Sequence, residues 1–177
     1  MKFNHLPSLG YAMLGEINPT PIGSLIISTS EQGLIGLDFQ TELSLVEQSL
    51  MNKGYTIVRE ENPLLEKAKV EISEYFSGKR KNFSIPIDWS VLPAFQAKVL
   101  KATFTIPYGS TRTYAEIAQQ IGHPGAARAV GRAEAKNPIP IIIPCHRVIG
   151  SDGKLHGFGA PGGLQTKAFL LQHEGAL

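Results

Sequence analysis

The segment from Asn137 to Val148 constrains the fold more than any other part of the chain. Its apolar run, Ile139 to Ile143, predicts a short buried segment. Three prolines restrict the backbone there and disfavour helix: Pro138, Pro140 and Pro144. We therefore predict a stiff, extended stalk that carries Cys145 out of the core. Cys145 is the only cysteine of the chain, so it can be a nucleophile but not half of an internal disulfide; taken alone, a buried inert thiol is the commoner outcome.

The composition is that of a soluble globular protein. The chain has 177 residues, 42% hydrophobic and 18% charged, which is enough for one good core or two small ones. The apolar runs are too short to span a bilayer, and the start of the chain, Met1 to His5, lacks the apolar stretch of a secretory signal. We expect a cytoplasmic protein without a membrane partner.

The charges divide unevenly along the chain. Residues 1–91 carry 8 Lys and Arg against 11 Asp and Glu, whereas residues 92–177 carry 9 against 4. The second half, which contains Cys145, is therefore the one that would attract a polyanion.

The first half alternates strands and helices. Strands are predicted at Ile22–Ser28 and Leu34–Phe39, and a third from the alternating apolar residues of 83–89. Helices are predicted from Leu43 to Gly54 and from Asn62 to Gly78. No catalytic constellation is visible, so we interpret residues 1–91 as a small α/β support domain.

The second half, residues 92–177, is predicted to be mainly helical. After a helix from Pro93 to about Thr103, Thr113 and Glu116 form a capping-box pattern that starts a helix at Tyr114. That helix ends at Gly122, and another is predicted from Gly125 to about Ala135 after a very short turn. Two helices joined by a tight glycine turn are typical of a helix-turn-helix.

The second of these helices is slim and basic. Small residues include Ala126, Ala127 and Gly131, while Arg128, Arg132 and Lys136 recur every four residues as one stripe. This pattern suits close approach to a phosphate backbone. A structural helix with a solvated face explains it equally well.

The C-terminal helix places a carboxylate on its inner side. Leu164, Ala168 and Leu171 predict the buried face, and Glu174 continues it three residues later. A carboxylate there is unfavourable without a partner, because it is buried and lies at the negative end of the helix dipole. The alternative is a frayed helix end with Glu174 in water.

Four segments together resemble the O6-alkylguanine-DNA alkyltransferase family: Pro144 to Val148, Tyr114 to Ala118, Ala126 to Gly131, and Leu170 to Gly175. The resemblance covers most of residues 93–177. It implies a ribonuclease-H-like α/β N-terminal domain with a small antiparallel sheet and helices, and a mainly helical, winged helix-turn-helix-like C-terminal domain. It also implies DNA repair by irreversible, stoichiometric transfer of a methyl or larger alkyl group from O6 of guanine to Cys145, after the base is flipped out of double-stranded DNA.

The chemistry requires a base beside the thiol. A free cysteine, with a pKa of about 8.5, is only a few per cent thiolate at neutral pH. Glu174, His146 and Cys145 can supply a carboxylate that orients the ring, an imidazole that takes the proton and a sulfur that attacks. Since adjacent side chains seldom face each other, we expect His146 to reach Cys145 through a water molecule, as the resemblance also implies.

Further roles follow from the resemblance. Tyr114 would assist the departing guanine, Asn137 would hold the loop that carries the cysteine, and Arg128 would fill the space of the extruded base. The remaining DNA contacts would come from Ala126, Ala127, Gly131, Arg132, Thr113 and Lys136. The substrate contacts would come from Val148, Phe158, Gly159 and Pro140.

The chain departs from the family pattern at Phe158, where many members have tyrosine, and in the long glycine-rich loop 157–163. The lost hydroxyl and the glycines predict a wider pocket. The first half has no cysteine, so the zinc site of some relatives is excluded; we predict no metal, no cofactor and no obligate protein partner. Cooperative assembly on DNA and activity on alkylated thymine stay open.

Three alternatives remain at this point. A non-catalytic alkyltransferase-like protein would bind the lesion without repairing it, but such relatives lack the cysteine. A cysteine hydrolase would use Cys145, His146 and Glu174 over many turnovers and would need an oxyanion hole. A helix-turn-helix regulator would discriminate among undamaged sequences.

Overall fold

The computed structural model describes residues 9–39, 41–60 and 62–177, so the segment Met1 to His5 lies outside the described residues. The chain divides into two compact units, with the boundary between Asp88 and Trp89. Among the described residues, no helix is long and apolar enough to cross a membrane.

The first unit is a four-stranded sheet with two helices. The strands are β1 (Tyr11–Ile17), β2 (Leu25–Thr29), β3 (Leu34–Phe39) and β4 (Thr56–Ile57), and the helices are α1 (Leu43–Asn52) and α2 (Pro63–Phe76). The order is β3-β2-β1-β4. Strands β1 to β3 pair antiparallel, whereas β4 pairs parallel with β1. The sheet is therefore mixed rather than purely antiparallel as predicted, because the chain returns to β1 through helix α1.

Local signals account for these elements. All five residues of β2 are buried, as expected of a central strand covered by helices. The side chain of Asn62 accepts a hydrogen bond from the amide of Leu64 at 2.8 Å and Pro63 opens α2, so the predicted cap and first-turn proline are confirmed. Strand β1 was not predicted, because its apolar residues do not alternate.

The strand predicted over residues 83–89 is wrong. Only one isolated bridge forms there, between Leu34 and Ile87. The amides of Ser84 and Ile85 donate instead to the buried carboxylate of Glu71, at 2.8 Å and 3.2 Å, and a proline at 86 has no amide hydrogen to offer a neighbouring strand. The side chains of residues 83–87 therefore alternate in burial, as predicted, but their backbone does not form the hydrogen bonds of a strand.

The second unit is built from helices around its own core. They are α3 (Ala94–Phe104), α4 (Tyr114–Gln120), α5 (Ala127–Glu134) and α6 (Leu164–His173), with two short strands, β5 (Arg112–Thr113) and β6 (Val148–Ile149). The core lies between α3, α4 and α5 and includes Val99, Ile117, Val130 and Val148.

Helices α4 and α5 are the two helices predicted for the helix-turn-helix, but α5 begins at Ala127 rather than Gly125, so the connection covers residues 121–126 and is longer than predicted. Both hydrogen bonds of the capping box are present, since Thr113 accepts from the amide of Glu116 and Glu116 accepts from the amide of Thr113. Strands β5 and β6 pair in parallel, with Thr113 opposite Ile149. The start of α4 is therefore tied to the segment that directly follows the cysteine.

The predicted buried face of α6 is confirmed at Leu171 and is wrong at Leu164, which is 47% exposed. Ala168 is only partly buried, and Lys167 and Leu170 complete the buried face instead. Glu174 continues the face of Leu171 and is 5% exposed. Its predicted inward position is confirmed, and a frayed helix end is excluded.

Candidate active site

Cys145 lies in a buried turn rather than at the end of an extended stalk. The residues before it are buried as predicted, but Ile141 has a φ of +73° and the chain turns there. Cys145 then opens a short 3-10 helix, Cys145–Arg147, with its amide bonded to the carbonyl of Ile143 at 2.8 Å. The predicted extended stalk is therefore wrong: Cys145 follows a tight turn and lies inside the core.

Asn137 organises this turn. Its Nδ2 donates to the carbonyl of Ile143 at 2.8 Å, and its Oδ1 accepts from the amide of Ile139 at 3.0 Å. The same side chain hydrogen-bonds the Cys145 thiol. Asn137 therefore hydrogen-bonds to both ends of the loop 139–143, which directly precedes the cysteine.

His146 and Glu174 meet in the interior. Nε2 of His146 lies 2.8 Å from Oε1 of Glu174, and both side chains are fully buried. Arg147 also binds this carboxylate, with Nε 2.7 Å from Oε2 and Nη2 2.9 Å from Oε1. Arg147 was not predicted as a partner, and it explains how a buried carboxylate is tolerated at a helix C-terminus.

The charges of this cluster fix its proton positions. Burial alone would raise the pKa of Glu174, but hydrogen bonds from His146 and Arg147 outweigh it and hold the pKa at about 2. Burial lowers the pKa of His146 despite the adjacent carboxylate. Since an ionised carboxylate can only accept, Nε2 of the neutral ring donates to Glu174. Nδ1 has no hydrogen-bond partner among the described residues and is left with its lone pair.

The thiol itself is strongly protonated. Burial, with the carboxylate of Glu134 as the next contribution, raises the pKa of Cys145 to about 12. The hydrogen bond from Asn137 and the ammonium of Lys167 act in the opposite direction. An isolated thiol in this position would be unreactive near neutrality, so its proton must be removed by a neighbouring base.

Tyr114 stands at the start of α4, and its hydroxyl interacts electrostatically with the thiol. Burial, then Glu134 and Cys145, raise the pKa of its hydroxyl to about 12, so the phenol keeps its proton and can donate it. A side chain at Gly131 would touch the Tyr114 ring at 3.7 Å. This is an ordinary van der Waals distance, so α5 passes close to the ring and a methyl group at position 131 would pack against it.

Two buried charged residues near the thiol were missed from the sequence. Lys167 is fully buried and donates from Nζ to the carbonyls of Val148 and His156, at 2.6 Å and 2.9 Å. Glu134 is 6% exposed and accepts a hydrogen bond from the hydroxyl of Thr103. A lysine and a glutamate on amphipathic helices are ordinarily solvent-exposed, and no sequence signal distinguished these two.

The residues predicted to bind DNA lie on and around α5. Arg128, Arg132 and Lys136 are exposed, and Ala126, Ala127 and Gly131 are partly exposed. Thr113 caps the preceding helix. Their exposure leaves a basic surface available to a ligand, which is the condition that a DNA contact requires.

The residues predicted to contact the substrate are unequally accessible. Val148 and Pro140 are buried, Phe158 is half-buried and Gly159 is exposed. The carbonyl of Val148 accepts from Lys167. A carbonyl oxygen has two lone pairs, so this bond still leaves one for a substrate amine.

Comparisons with known proteins identify the family. Residues 13–89 match the ribonuclease-like domain of 6-O-methylguanine DNA methyltransferase, and residues 94–176 match its DNA-binding domain. The chain therefore belongs to the 6-O-methylguanine DNA methyltransferase family, and the predicted fold class is confirmed.

Individual relatives agree. The chain is 42% identical to the constitutive methylated-DNA–protein-cysteine methyltransferase of Bacillus subtilis, over 88% of this chain and 91% of that protein. It is 44% identical to the methylated-DNA–protein-cysteine methyltransferase of Methanosarcina barkeri, over 92% and 97%. A crystal structure of the Mycobacterium tuberculosis OGT in complex with DNA is 40% identical, covers 93% of each chain and has a TM-score of 0.76.

Proposed function

We propose that this protein repairs DNA by transferring a methyl or larger alkyl group from O6 of guanine to Cys145. One observation carries the proposal: the only cysteine of the chain lies beside a buried His146–Glu174 pair, in the unit that contains the helix-turn-helix. The family and its named relatives support the same reaction.

The chemistry balances with groups of this chain. The thiol proton passes to Nδ1 of His146 through a water molecule, and the sulfur attacks the alkyl carbon. The S–C bond forms as the C–O6 bond breaks, and the electron pair stays on the guanine. Tyr114 donates a hydrogen bond to the departing guanine anion, which takes up one proton to become neutral guanine. The imidazolium of His146 gives up the proton that it took from the thiol, so one proton moves in net from the thiol to the base.

The product is a thioether, which thiol exchange does not cleave. The chain has no second cysteine to attack it, and hydrolysis of a thioether is not available to an imidazole and a carboxylate. One protein molecule therefore repairs one lesion. A cysteine hydrolase, by contrast, would form a thioester and turn over repeatedly.

Binding to double-stranded DNA would occur through α4 and α5. The exposed stripe Arg128, Arg132 and Lys136 supplies charges for the phosphates. Arg128 would occupy the space of the flipped base and offset an unstacking cost of a few kcal/mol.

The competing candidate is an alkyltransferase-like protein that binds the lesion without accepting the alkyl group. The presence of Cys145, held by Asn137 and adjacent to His146, argues against it. A site that only recognised the lesion would need no thiol and no base.

The deciding experiment is the intact mass of the protein after mixing with a duplex that contains O6-methylguanine. The wild type should gain one methyl group per molecule and then stop, and peptide mapping should place it on Cys145. Cys145→Ala should gain nothing while binding the same duplex. An unchanged wild-type mass, or an equal gain by the variant, would overturn the proposal.

A further inference from the structure

Glu134 is a buried carboxylate that the mechanism above does not use. It lies on α5 with its side chain turned into the core, and its Oε1 accepts a hydrogen bond from the hydroxyl of Thr103 on α3. Its Oε2 is buried and has no hydrogen-bond partner among the described residues. An acidic side chain in such a place is costly, since burial penalises its charged form.

Geometry connects Glu134 to the cysteine turn: its backbone carbonyl accepts from the amide of Asn137 at 3.0 Å, and the Asn137 side chain donates to the carbonyl of Ile143 in the turn before Cys145. Lys167 extends from α6, with its Nζ 5.8 Å from the centre of the Tyr114 ring on α4. The charge of Glu134 acts on Lys167, Tyr114 and Cys145. The carboxylate therefore belongs to the surroundings of the thiol, although it is separate from the His146–Glu174 pair.

We propose that Glu134 is a positioning residue for alkyl transfer, which acts through Cys145: its buried carboxylate opposes ionisation of the thiol and thereby sets how readily the sulfur reacts. The inference rests on the proposed function in taking Cys145 as the alkyl acceptor. Glu134 would restrain the thiol, whereas His146 and Glu174 activate it.

The sign follows from the two charges that act on the thiol, those of Glu134 and Lys167. A carboxylate disfavours a neighbouring thiolate and an ammonium favours it. Glu134 raises the pKa of Cys145 by more than Lys167 lowers it. Removing the charge of Glu134 therefore makes the thiol more acidic, even if Lys167 loses its proton as a result.

The restraint depends on pH. Burial raises the pKa of Glu134 to about 7, despite the hydrogen bond from Thr103 and the charge of Lys167. Below that pH the side chain is a neutral acid and resembles glutamine. Above it the carboxylate is charged. In the wild type, Glu134 therefore disfavours ionisation of the thiol only above about pH 7.

The magnitude follows from thiol chemistry. Lowering the pKa of a mostly protonated thiol by one unit gives ten times more thiolate, but each thiolate is then a weaker nucleophile, so the net gain is about threefold. We expect a gain of about threefold or more for Glu134→Gln at about pH 8.5, and no gain at about pH 6.

The experiment measures the rate of Cys145 alkylation by iodoacetamide, and of alkyl transfer from free O6-benzylguanine, from about pH 6 to pH 9. Glu134→Gln is compared with the wild type and with Glu60→Gln, which removes an exposed carboxylate of the first unit. The ratio of Glu134→Gln to wild type should rise through neutrality for both reagents, and Glu60→Gln should match the wild type. A ratio that is constant with pH would assign Glu134 a structural role and overturn the inference.

Thr103→Val provides a second test if Glu134→Gln does not fold. Losing the donated hydrogen bond raises the pKa of Glu134 further, so the thiol should react faster than in the wild type just above neutrality and equally fast well above it. Slower reaction across the range would contradict the inference. Iodoacetamide alkylates Cys145 without alkylated guanine, so it tests the inference alone. If the proposed function were wrong, no variant would transfer an alkyl group from O6-benzylguanine, whatever the iodoacetamide rates.

Discussion

Nε2 of His146 lies 2.8 Å from Oε1 of Glu174, and this contact turns the Nδ1 side of the ring away from the carboxylate. Both side chains are fully buried, so water does not compete for the bond. The carboxylate fixes the orientation and the tautomer of the ring, and Nδ1 is left to accept a proton. This relationship makes the first two predictions possible.

Glu174→Gln should slow alkyl transfer at neutral pH. Glutamine keeps the shape of the side chain but removes the charge that stabilises an imidazolium, so His146 becomes a weaker base. Part of the rate should return as rising pH ionises the thiol without help. The measurement is the single-turnover rate against pH, and superimposable profiles for the two proteins would show that Glu174 does not assist His146.

The same substitution should destabilise the fold by about 3 kcal/mol, because it leaves the buried guanidinium of Arg147 without its counter-charge. Glu66→Gln is the matched surface control, since Glu66 pairs with Lys69 in solvent, and its loss should cost below about 0.5 kcal/mol. Urea unfolding measures both. Equal losses would mean that the buried pair contributes no more than the exposed one.

Acid should destabilise the protein in two stages. Burial depresses the pKa of His146 below its ordinary 6.5, so the unfolded state binds the extra proton first and stability falls as the pH drops below that value. The pKa of Glu174 is about 2 instead of 4.5, so its contribution is complete above 4.5 and is lost as the pH falls toward 2. Despite its burial, Glu71 also has a lowered pKa, through its hydrogen bonds from Ser84 and Ile85, so the second stage of thermal unfolding should be smaller in Glu174→Gln than in the wild type but not absent. An identical acid profile would contradict this.

Tyr114→Phe should slow transfer by roughly a hundredfold, the usual contribution of a well-placed acid. Since the pKa of Tyr114 is about 12, the phenol is protonated throughout the working range, and the defect should be constant from about pH 6 to pH 9. Tyr11→Phe changes an exposed tyrosine of β1 and serves as the control. A rate within twofold of the wild type would remove Tyr114 from the mechanism.

Arg128→Ala should slow repair in duplex DNA far more than transfer from free O6-benzylguanine, which needs no base flipping. Arg132→Ala removes the same charge from the next turn of α5 and should weaken DNA binding in a salt-dependent way without this difference between substrates. Comparing the two variants on both substrates separates a role in base flipping from electrostatic attraction to the DNA phosphates. The same ratio in both variants would show that Arg128 acts only by its charge.

Phe158 and the loop 157–163 predict tolerance of alkyl groups larger than methyl. A difference of one carbon in an apolar pocket discriminates by only about 1–3 kcal/mol. Competition between methylguanine and butylguanine duplexes for a limiting amount of protein tests this. Near-total exclusion of butyl, or its unchanged use by a Phe158→Tyr variant, would show that this residue does not widen the pocket.

The parts of the fold that depend on local signals could be predicted from the sequence. The cap of Asn62 on α2 and the capping box of Thr113 and Glu116 both form. The inward position of Glu174 was also predictable, because its spacing from Leu171 places both on one side of α6.

The surroundings of the thiol were less predictable, because they depend on contacts distant in the sequence. Lys167 is buried only because carbonyls at positions 148 and 156 accept its hydrogen bonds. Glu134 depends in the same way on Thr103. The turn before Cys145 required Ile141 to adopt a positive φ, which is rare for a β-branched residue and which no residue pattern indicated.

The pairing of Thr113 with Ile149 limits how this protein can be altered. The ladder of β5 and β6 joins the residue directly before α4 to the residues just after Cys145. An insertion or deletion anywhere from 114 to 147 would have to preserve both ends of that span. Length changes are far easier to accommodate in the largely exposed segment 150–163. Directed evolution toward bulkier lesions should therefore accumulate its length variants mainly in the segment 150–163.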